Sequence, residues 1–220
     1  MSRGVDTVVF DLGGVVVRIC RSFEQAAGRA GLPFDAARVQ RAAAQAERKS
    51  LHALYERGRL SCDEFFARAA ATTDGLYTPA EFRLIHERWI IEDYPGAAGL
   101  IDALHAAGLI TGALSNTNAS HWAQMSRVTP GTPALFDAPA RLGLRHASHL
   151  LGSAKPDPAI YAAFVRLTGA DPGRTVFFDD LPANVDAARA AGWHAHRIDP
   201  DADPPEQVRR LLREAHGVRV

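Results

Sequence analysis

Short apolar runs along this chain each stop abruptly at polar residues. Thr7-Val8-Val9-Phe10 is β-branched and aromatic and ends at Asp11-Leu12-Gly13-Gly14, the pattern of a buried strand followed by a turn. Residues 109–114 repeat the design before Ser115-Asn116-Thr117-Asn118, and residues 175–178 repeat it before Asp179-Asp180. Residues 193–198 supply a further strand. Helical periodicity separates these runs over residues 97–107, 158–168 and 183–191, each stopping at a glycine, Gly108, Gly169 and Gly192, as helix C-termini commonly do. A terminal amphipathic helix over 205–215 carries Val208, Leu211 and Leu212 on one face. Strands alternating with helices predict an α/β fold, a doubly wound, parallel, Rossmann-like sheet.

Between residue 18 and about residue 94 the rhythm changes. Strand patterns vanish and helix signals follow one another, so this stretch reads as a helical insertion. Ser61-Cys62-Asp63-Glu64 is a capping box, and Thr78-Pro79-Ala80-Glu81 adds proline at the first helical position; both mark helix starts. Residues 36–49, rich in alanine and arginine, read as a solvated helix. The predicted division is an α/β core over 1–17 and 95–220 with a helical cap over 18–94.

Composition narrows the function classes. Twenty-five basic residues balance 25 acidic ones, which leaves no global field to draw nucleic acid or an anionic membrane. A charged ligand must therefore be held locally. Cys20 and Cys62 lie far apart without metal-ligand spacing, so both read as packing residues. With no leader pattern or spanning run, the expectation is a cytoplasmic protein. Nothing distinguishes a monomer from a homodimer. The histidines at 146, 149, 194 and 196 raise a zinc reading, but no close-spaced set completes such a site. Trp89, Trp122 and Trp193 read as packing residues, with Trp122 near enough to Ser115 in sequence to line a pocket instead.

In open α/β sheets ligands bind beyond the carboxyl ends of the strands, where Asp11, Ser115 and Asp179-Asp180 would meet. A carboxylate nucleophile splits hydrolysis into two easier steps through an aspartyl-phosphate. Facing carboxylates repel unless a cation sits among them, and Mg²⁺ accepts carboxylate, carbonyl, water and phosphate oxygens together. Transferred phosphoryl oxygens also need positive charge and donors, which Lys155 and Ser115 can provide.

Together the residues resemble the haloacid dehalogenase-like (HAD) hydrolase superfamily over nearly the whole chain. Phe10-Asp11-Leu12-Gly13-Gly14-Val15 is similar to its first motif, Leu114-Ser115-Asn116-Thr117-Asn118 to its second, Lys155-Pro156-Asp157-Pro158 to its third, and Phe177-Phe178-Asp179-Asp180 with Asn184 to its fourth. The stretch 18–94 sits where the family's helical C1 cap is inserted, and Glu56-Arg57-Gly58-Arg59-Leu60-Ser61 resembles a phrase common in such caps. The resemblance implies that Asp11 attacks phosphorus while Ser115 and Lys155 hold the phosphoryl oxygens. It further implies Mg²⁺ on Asp11, Asp180, the Gly13 carbonyl and Asp179, with Asn184 behind these ligands and Asn116 as a phosphate contact. Arg18 and Arg21, where the chain leaves the core, are candidate specificity residues for a small phosphorylated metabolite.

One position departs from the pattern. Family phosphatases usually carry a second aspartate two residues after the nucleophile, to protonate the leaving oxygen; this chain has Gly13. Such assistance is typically worth about 10²–10⁴-fold, so the expected substrate has a leaving group that needs little protonation, such as an anomeric sugar phosphate or an acyl phosphate. A subgroup with this glycine resembles sugar-1-phosphate phosphatases. Two rivals remain: a metal-free 2-haloacid dehalogenase, for which the acidic pair has little use, and a binding or regulatory protein on a weakened catalytic scaffold.

Overall fold

The structure is a computed structural model that describes residues 4–126 and 136–220. In chain order, β1 (Thr7–Phe10) turns into β2 (Val17–Ile19), and the chain then runs through α1 (Phe23–Arg29), α2 (Ala36–Val39), α3 (Ala42–Tyr55), α4 (Cys62–Ala71) and α5 (Pro79–Glu87) to β3 (Ile90–Asp93). Next come α6 (Ala97–Ala106), β4 (Ile110–Ser115), α7 (Ala119–Met125), α8 (Asp137–Arg141), β5 (Leu144–Ala147) and α9 (Ser148–Leu151). The chain ends with α10 (Pro158–Thr168), β6 (Thr175–Asp179), α11 (Pro182–Ala190), β7 (His194–Arg197) and α12 (Pro204–His216).

Five strands form one parallel sheet in the order β5-β4-β1-β6-β7. All four residues of central β1 are buried, because a strand covered on both faces wants a continuous apolar run rather than an alternating one. Its two faces feed separate cores. Val8 and Phe10 pack with Ile101, Leu104, Phe178 and Leu212, while Val9 packs with Leu114, Phe164, Phe177 and Trp193. Register then places the chemistry. Phe10 lies opposite both Ala113 and Phe178, so Asp11, Ser115 and Asp179 emerge together at the strands' carboxyl end.

The stretch between β1 and α6 has its own core of Tyr55, Phe65, Phe66, Phe82 and Ile85, with the Tyr55 and Phe65 rings stacked at 4.2 Å. Both expected capping boxes form, Ser61 with Glu64 and Thr78 with Glu81. Three expectations need correction. The stretch is not wholly helical: β2 and β3 pair antiparallel where the chain enters and leaves it, and three to four residues are too few to show alternation in sequence. The run 36–49 is broken at Gln40-Arg41 into α2 and α3, with Arg48 donating across the break to the Val39 carbonyl and, at 2.8 Å, to Thr72 Oγ1. Strand β5 was not foreseen, since Leu-Arg-His-Ala is a half-buried, polar edge strand.

The helical stretch is seated on the core. Gly58, at φ +67°, sits so close that an added Cβ would lie 2.4 Å from the His149 carbonyl oxygen, and the Ser120 N–H donates to Tyr55 Oη at 3.3 Å. Gly75 shares the left-handed backbone, φ +71°, but faces open space. Gly75→Ala should therefore cost about 1 kcal/mol for backbone strain alone. Gly58→Ala must also push the turn off His149 and should cost roughly 2–3 kcal/mol, a ranking that urea unfolding of the two variants will check.

Candidate active site

Register brings Asp11 to the end of β1, with its N–H donating to the Phe178 carbonyl at 2.8 Å. Lys155, on the loop between α9 and α10, completes the centre from the other side. Its Nζ is fully buried, 2.6 Å from Asp179 Oδ2 and 3.1 Å from Asp11 Oδ1. The Asn116 side chain straps this lysine's backbone down, donating through Nδ2 to the Lys155 carbonyl and accepting the Lys155 N–H at Oδ1, both at 2.8 Å. The Asn116 amide thus positions Lys155 while Asn116 also lines the cavity.

Asp179 is also committed. Its oxygens accept from Lys155, from the Leu181 N–H at 2.9 Å, and from Asn184 Nδ2 at 3.0 and 3.1 Å. Asn184 thus sits behind the acidic pair as expected, and it fixes Asp179, the residue that holds Lys155. Asp180, half-buried, has a carboxylate that takes no hydrogen bond from another residue among those described. It rests against the first turn. A Cβ on Gly14, at φ +79°, would lie 2.8 Å from Asp180 Oδ2, so that position demands glycine twice over, for its backbone and for the close approach.

Charges in this space are out of balance. Asp11, Asp179 and Asp180 offer oxygens within 4.8 Å of one another, and Lys155 contributes one positive charge against three carboxylates. Burial, offset by Lys155 and increased again by Asp179, raises the Asp11 carboxyl to about 6, and burial with Asp179 raises Asp180. For Lys155, burial works against the ammonium, but Asp11 and Asp179 outweigh it and its pKa rises. A hard dication fits this donor set, all oxygen and short of positive charge. Asp11 and Asp180 are the side chains placed to take it, with Asp179 supporting from below.

Above the strand tips lies a cavity of about 500 Å³ reached by Gly13 and Ser115 from the core and by Phe82, Trp89 and His52 from the helical stretch. His52 opens onto the cavity although protein encloses it elsewhere, and burial lowers its pKa. Behind it, His86 and His121 stack at 4.0 Å. His121 Nε2 donates to the His86 carbonyl at 2.6 Å, its Nδ1 accepts from Asn118 Nδ2 at 3.3 Å, and His86 Nε2 donates to Asn118 Oδ1 at 3.2 Å. These bonds assign the His121 ring as neutral, and burial disfavours the charged form of His86. Sequence reading missed all three histidines; the only local trace is Asn118 capping the His121 N–H.

Other expected residues fall elsewhere. Arg18 pairs with Glu92 at 2.9 Å and Arg21 with Asp201 at 2.6 Å, and neither lines the cavity; between them in sequence, Ile19 does. Within β2, Arg18 and Ile19 point to opposite faces, whereas Arg21 lies beyond the strand and is drawn to Asp201. Trp89 lines the cavity, whereas Trp122 lies under the Arg145 guanidinium and Trp193 is core. His194 bonds the Gly173 carbonyl and His196 meets His216, away from His146 against Phe164. Among the described residues the three aspartates are the only cluster with metal-ligand geometry, and no helix is long and apolar enough to cross a membrane.

The sequence profile of the haloacid dehalogenase-like hydrolases matches residues 5–192. Phosphatase MT3486 of Mycobacterium tuberculosis is 29% identical over 121 residues, 55% of this chain and 53% of that protein, so the chain spans about half of that relative's length. D-ribitol-5-phosphate phosphatase of Bacteroides thetaiotaomicron is 25% identical over 218 residues, 94% of this chain and 98% of that protein. A HAD family enzyme of the same bacterium, solved with magnesium and inorganic phosphate, shares the fold at a TM-score of 0.74 and 20% identity, covering 91% of this chain and 97% of that one.

Burial lowers the His121 pKa from 6.5 to about 4 and the His86 pKa in the same direction. The folded state keeps both rings neutral, while the unfolded chain takes up protons near 6.5. Their stabilisation is thus complete above pH 6.5 and is lost as pH falls toward 4, by roughly 3 kcal/mol for His121. Urea midpoints measured across this window should fall more steeply for the parent protein than for His121→Asn, and equal slopes would show that His121 is not held neutral.

Proposed function

The chain belongs to the haloacid dehalogenase-like hydrolase family, and from that premise we propose that it is a Mg²⁺-dependent phosphohydrolase of small phosphorylated metabolites in which Asp11 is the nucleophile. The observation that carries this reading is the buried contact of Lys155 with Asp11 at 3.1 Å and with Asp179 at 2.6 Å, beside the uncommitted carboxylate of Asp180. A dehalogenase attacking a 2-haloacid would meet these acids with a substrate carboxylate, whereas a phosphatase uses them to hold a cation.

Asp11 Oδ1 is fixed by the Leu12 N–H at 2.7 Å and by Lys155, which aligns the carboxylate for in-line attack on phosphorus. The Asp11–phosphorus bond forms as the bond to the leaving oxygen breaks, and water then cleaves the aspartyl-phosphate to return Asp11 and inorganic phosphate. Lys155 and the Ser115 hydroxyl neutralise and bind the phosphoryl oxygens as they redistribute charge. Bound by Asp11, Asp180 and the Gly13 carbonyl, Mg²⁺ supplies the positive charge that lets a phosphate dianion approach these carboxylates. The stretch 18–94 acts as the cap, closing the cavity against water.

Gly13 removes the usual proton donor, and no side chain replaces it at that spot. A Cβ built there would make only ordinary contacts, 3.5 and 3.6 Å from Ile19 methyls. The reading that follows is a substrate with a good leaving group, and it also means that an aspartate can be accommodated.

Hydrolysis of acetyl phosphate should require Mg²⁺, stop with chelator, and fall at least about 10³-fold in Asp11→Asn; metal-independent turnover, or an Asp11→Asn variant as active as the parent, would overturn the proposal. Gly13→Asp should raise alkyl phosphate hydrolysis by about 10-fold or more, toward the range of general-acid assistance. No gain in a folded variant would refute the missing-acid account.

A further inference from the structure

The 500 Å³ cavity falls within the range of ligand sites, roughly 300–1,000 Å³, and its lining is asymmetric. The apolar lining comes mainly from β2 (Val17, Ile19) and from α5 and the residues that follow it (Phe82, Ile85, Trp89). Most polar groups that also touch it are already occupied. Asn118, His86 and His121 bond one another, Asn116 holds the Lys155 backbone, and Arg48 is drawn to Thr72 and Val39. What remains is Ser115 and Thr117 beside the strand tips, and Lys49, His52 and Glu56, three and four residues apart on one face of α3. Glu56 shares its carboxylate with Arg57 at 3.2 Å.

A leaving group seated here meets the hydrocarbon and aromatic surface of β2 and α5, and beyond the phosphoryl end at Ser115 and Thr117 its free hydrogen-bonding partners come from α3. A sugar carries hydroxyls around its whole rim, and those facing the apolar wall would be stripped of water without a partner, which costs free energy. A flat ring with polar substituents on one edge leaves none unpaired. An independent feature points the same way. Gly13 supplies no proton, and apolar surface begins at the reaction centre, since Ile19 methyls stand 3.5 and 3.6 Å from where a Gly13 Cβ would be. A phenol-type oxygen ionises near pH 10 and departs with little help, unlike an alkoxide.

We infer, resting on the phosphohydrolase reading above, that the substrates are aryl or heteroaryl phosphate monoesters, with the ring against the Ile19–Ile85–Trp89 wall and its polar edge toward α3. This selects within the good-leaving-group class and sets aside the aldose 1-phosphates that the first motif suggested.

The test uses the full chain with Mg²⁺ and separates binding from leaving-group reactivity. Acetyl phosphate, too small to fill the cavity, reports the phosphoryl-transfer machinery alone. If acetyl phosphate is not hydrolysed, the phosphohydrolase reading fails and this inference falls with it. If it is hydrolysed, phenylphosphonate should inhibit at least about tenfold more tightly than methylphosphonate, and phenyl phosphate should exceed glucose 1-phosphate in kcat/KM by a similar factor. Equal inhibition by the two phosphonates, or a higher kcat/KM for glucose 1-phosphate, overturns the inference while leaving the phosphohydrolase reading intact. Trp89→Ala and, separately, Ile19→Thr should each reduce the phenyl-over-methyl preference about threefold or more; a preference unchanged in both folded variants also overturns it.

Discussion

A lysine ammonium buried between two carboxylates governs the architecture of this site. Lys155 lies 3.1 Å from Asp11 and 2.6 Å from Asp179, and removing the lysine would leave these carboxylates buried together without a counter-charge, a change that typically costs about 3–5 kcal/mol. The surrounding structure serves to keep that arrangement. Asn116 ties the lysine's backbone to the end of β4, and Asn184 with the Leu181 N–H fixes Asp179 at the start of α11. The strand register supplies the third coordinate, because parallel pairing of β1 with both β4 and β6 brings Asp11 level with its partners.

The same concentration of acid creates the demand for a cation. Burial, reinforced by the neighbouring carboxylates, leaves Asp11 and Asp180 with raised pKa values, a state that a dication relieves and that a phosphate dianion would otherwise worsen. Catalysis and metal affinity are in this sense one electrostatic problem. The glycine turn solves its steric half, since Gly14 admits the Asp180 carboxylate at a distance no side chain would allow.

The helical stretch contributes a second, differently built interface. Its hold on the core combines a glycine turn pressed on His149, the Tyr55 hydroxyl accepting from Ser120, and a neutral histidine pair joined to Asn118. Because Asn118 lies three residues beyond Ser115 and lines the cavity, the contact that seats the helices also shapes that cavity.

Much of this was written locally. Apolar runs ending in Asp11, Ser115 and Asp179-Asp180 mark buried strands and their chemically capable tips, and capping boxes at Ser61 and Thr78 mark helix starts, because these signals depend on neighbours within a turn or two. Lys155 stood out as a source of positive charge and through the resemblance to the family's third motif, Asn184 only through the resemblance to the fourth. Features set by partners distant in sequence were not legible: the polar edge strand β5, the β2–β3 ribbon, the His86–His121 pair across 35 residues, and the strapping of the Lys155 backbone by the Asn116 amide. Arg18 and Arg21 show the limit most simply. Sequence places them at the mouth of the insertion, but β2 turns Ile19 toward the cavity and Arg18 toward Glu92, and Arg21, beyond the strand, pairs with Asp201. The chain by itself determined which groups could do the chemistry; only tertiary packing decided which of them remain free to do it, since a side chain's availability depends on what else has already claimed its hydrogen bonds.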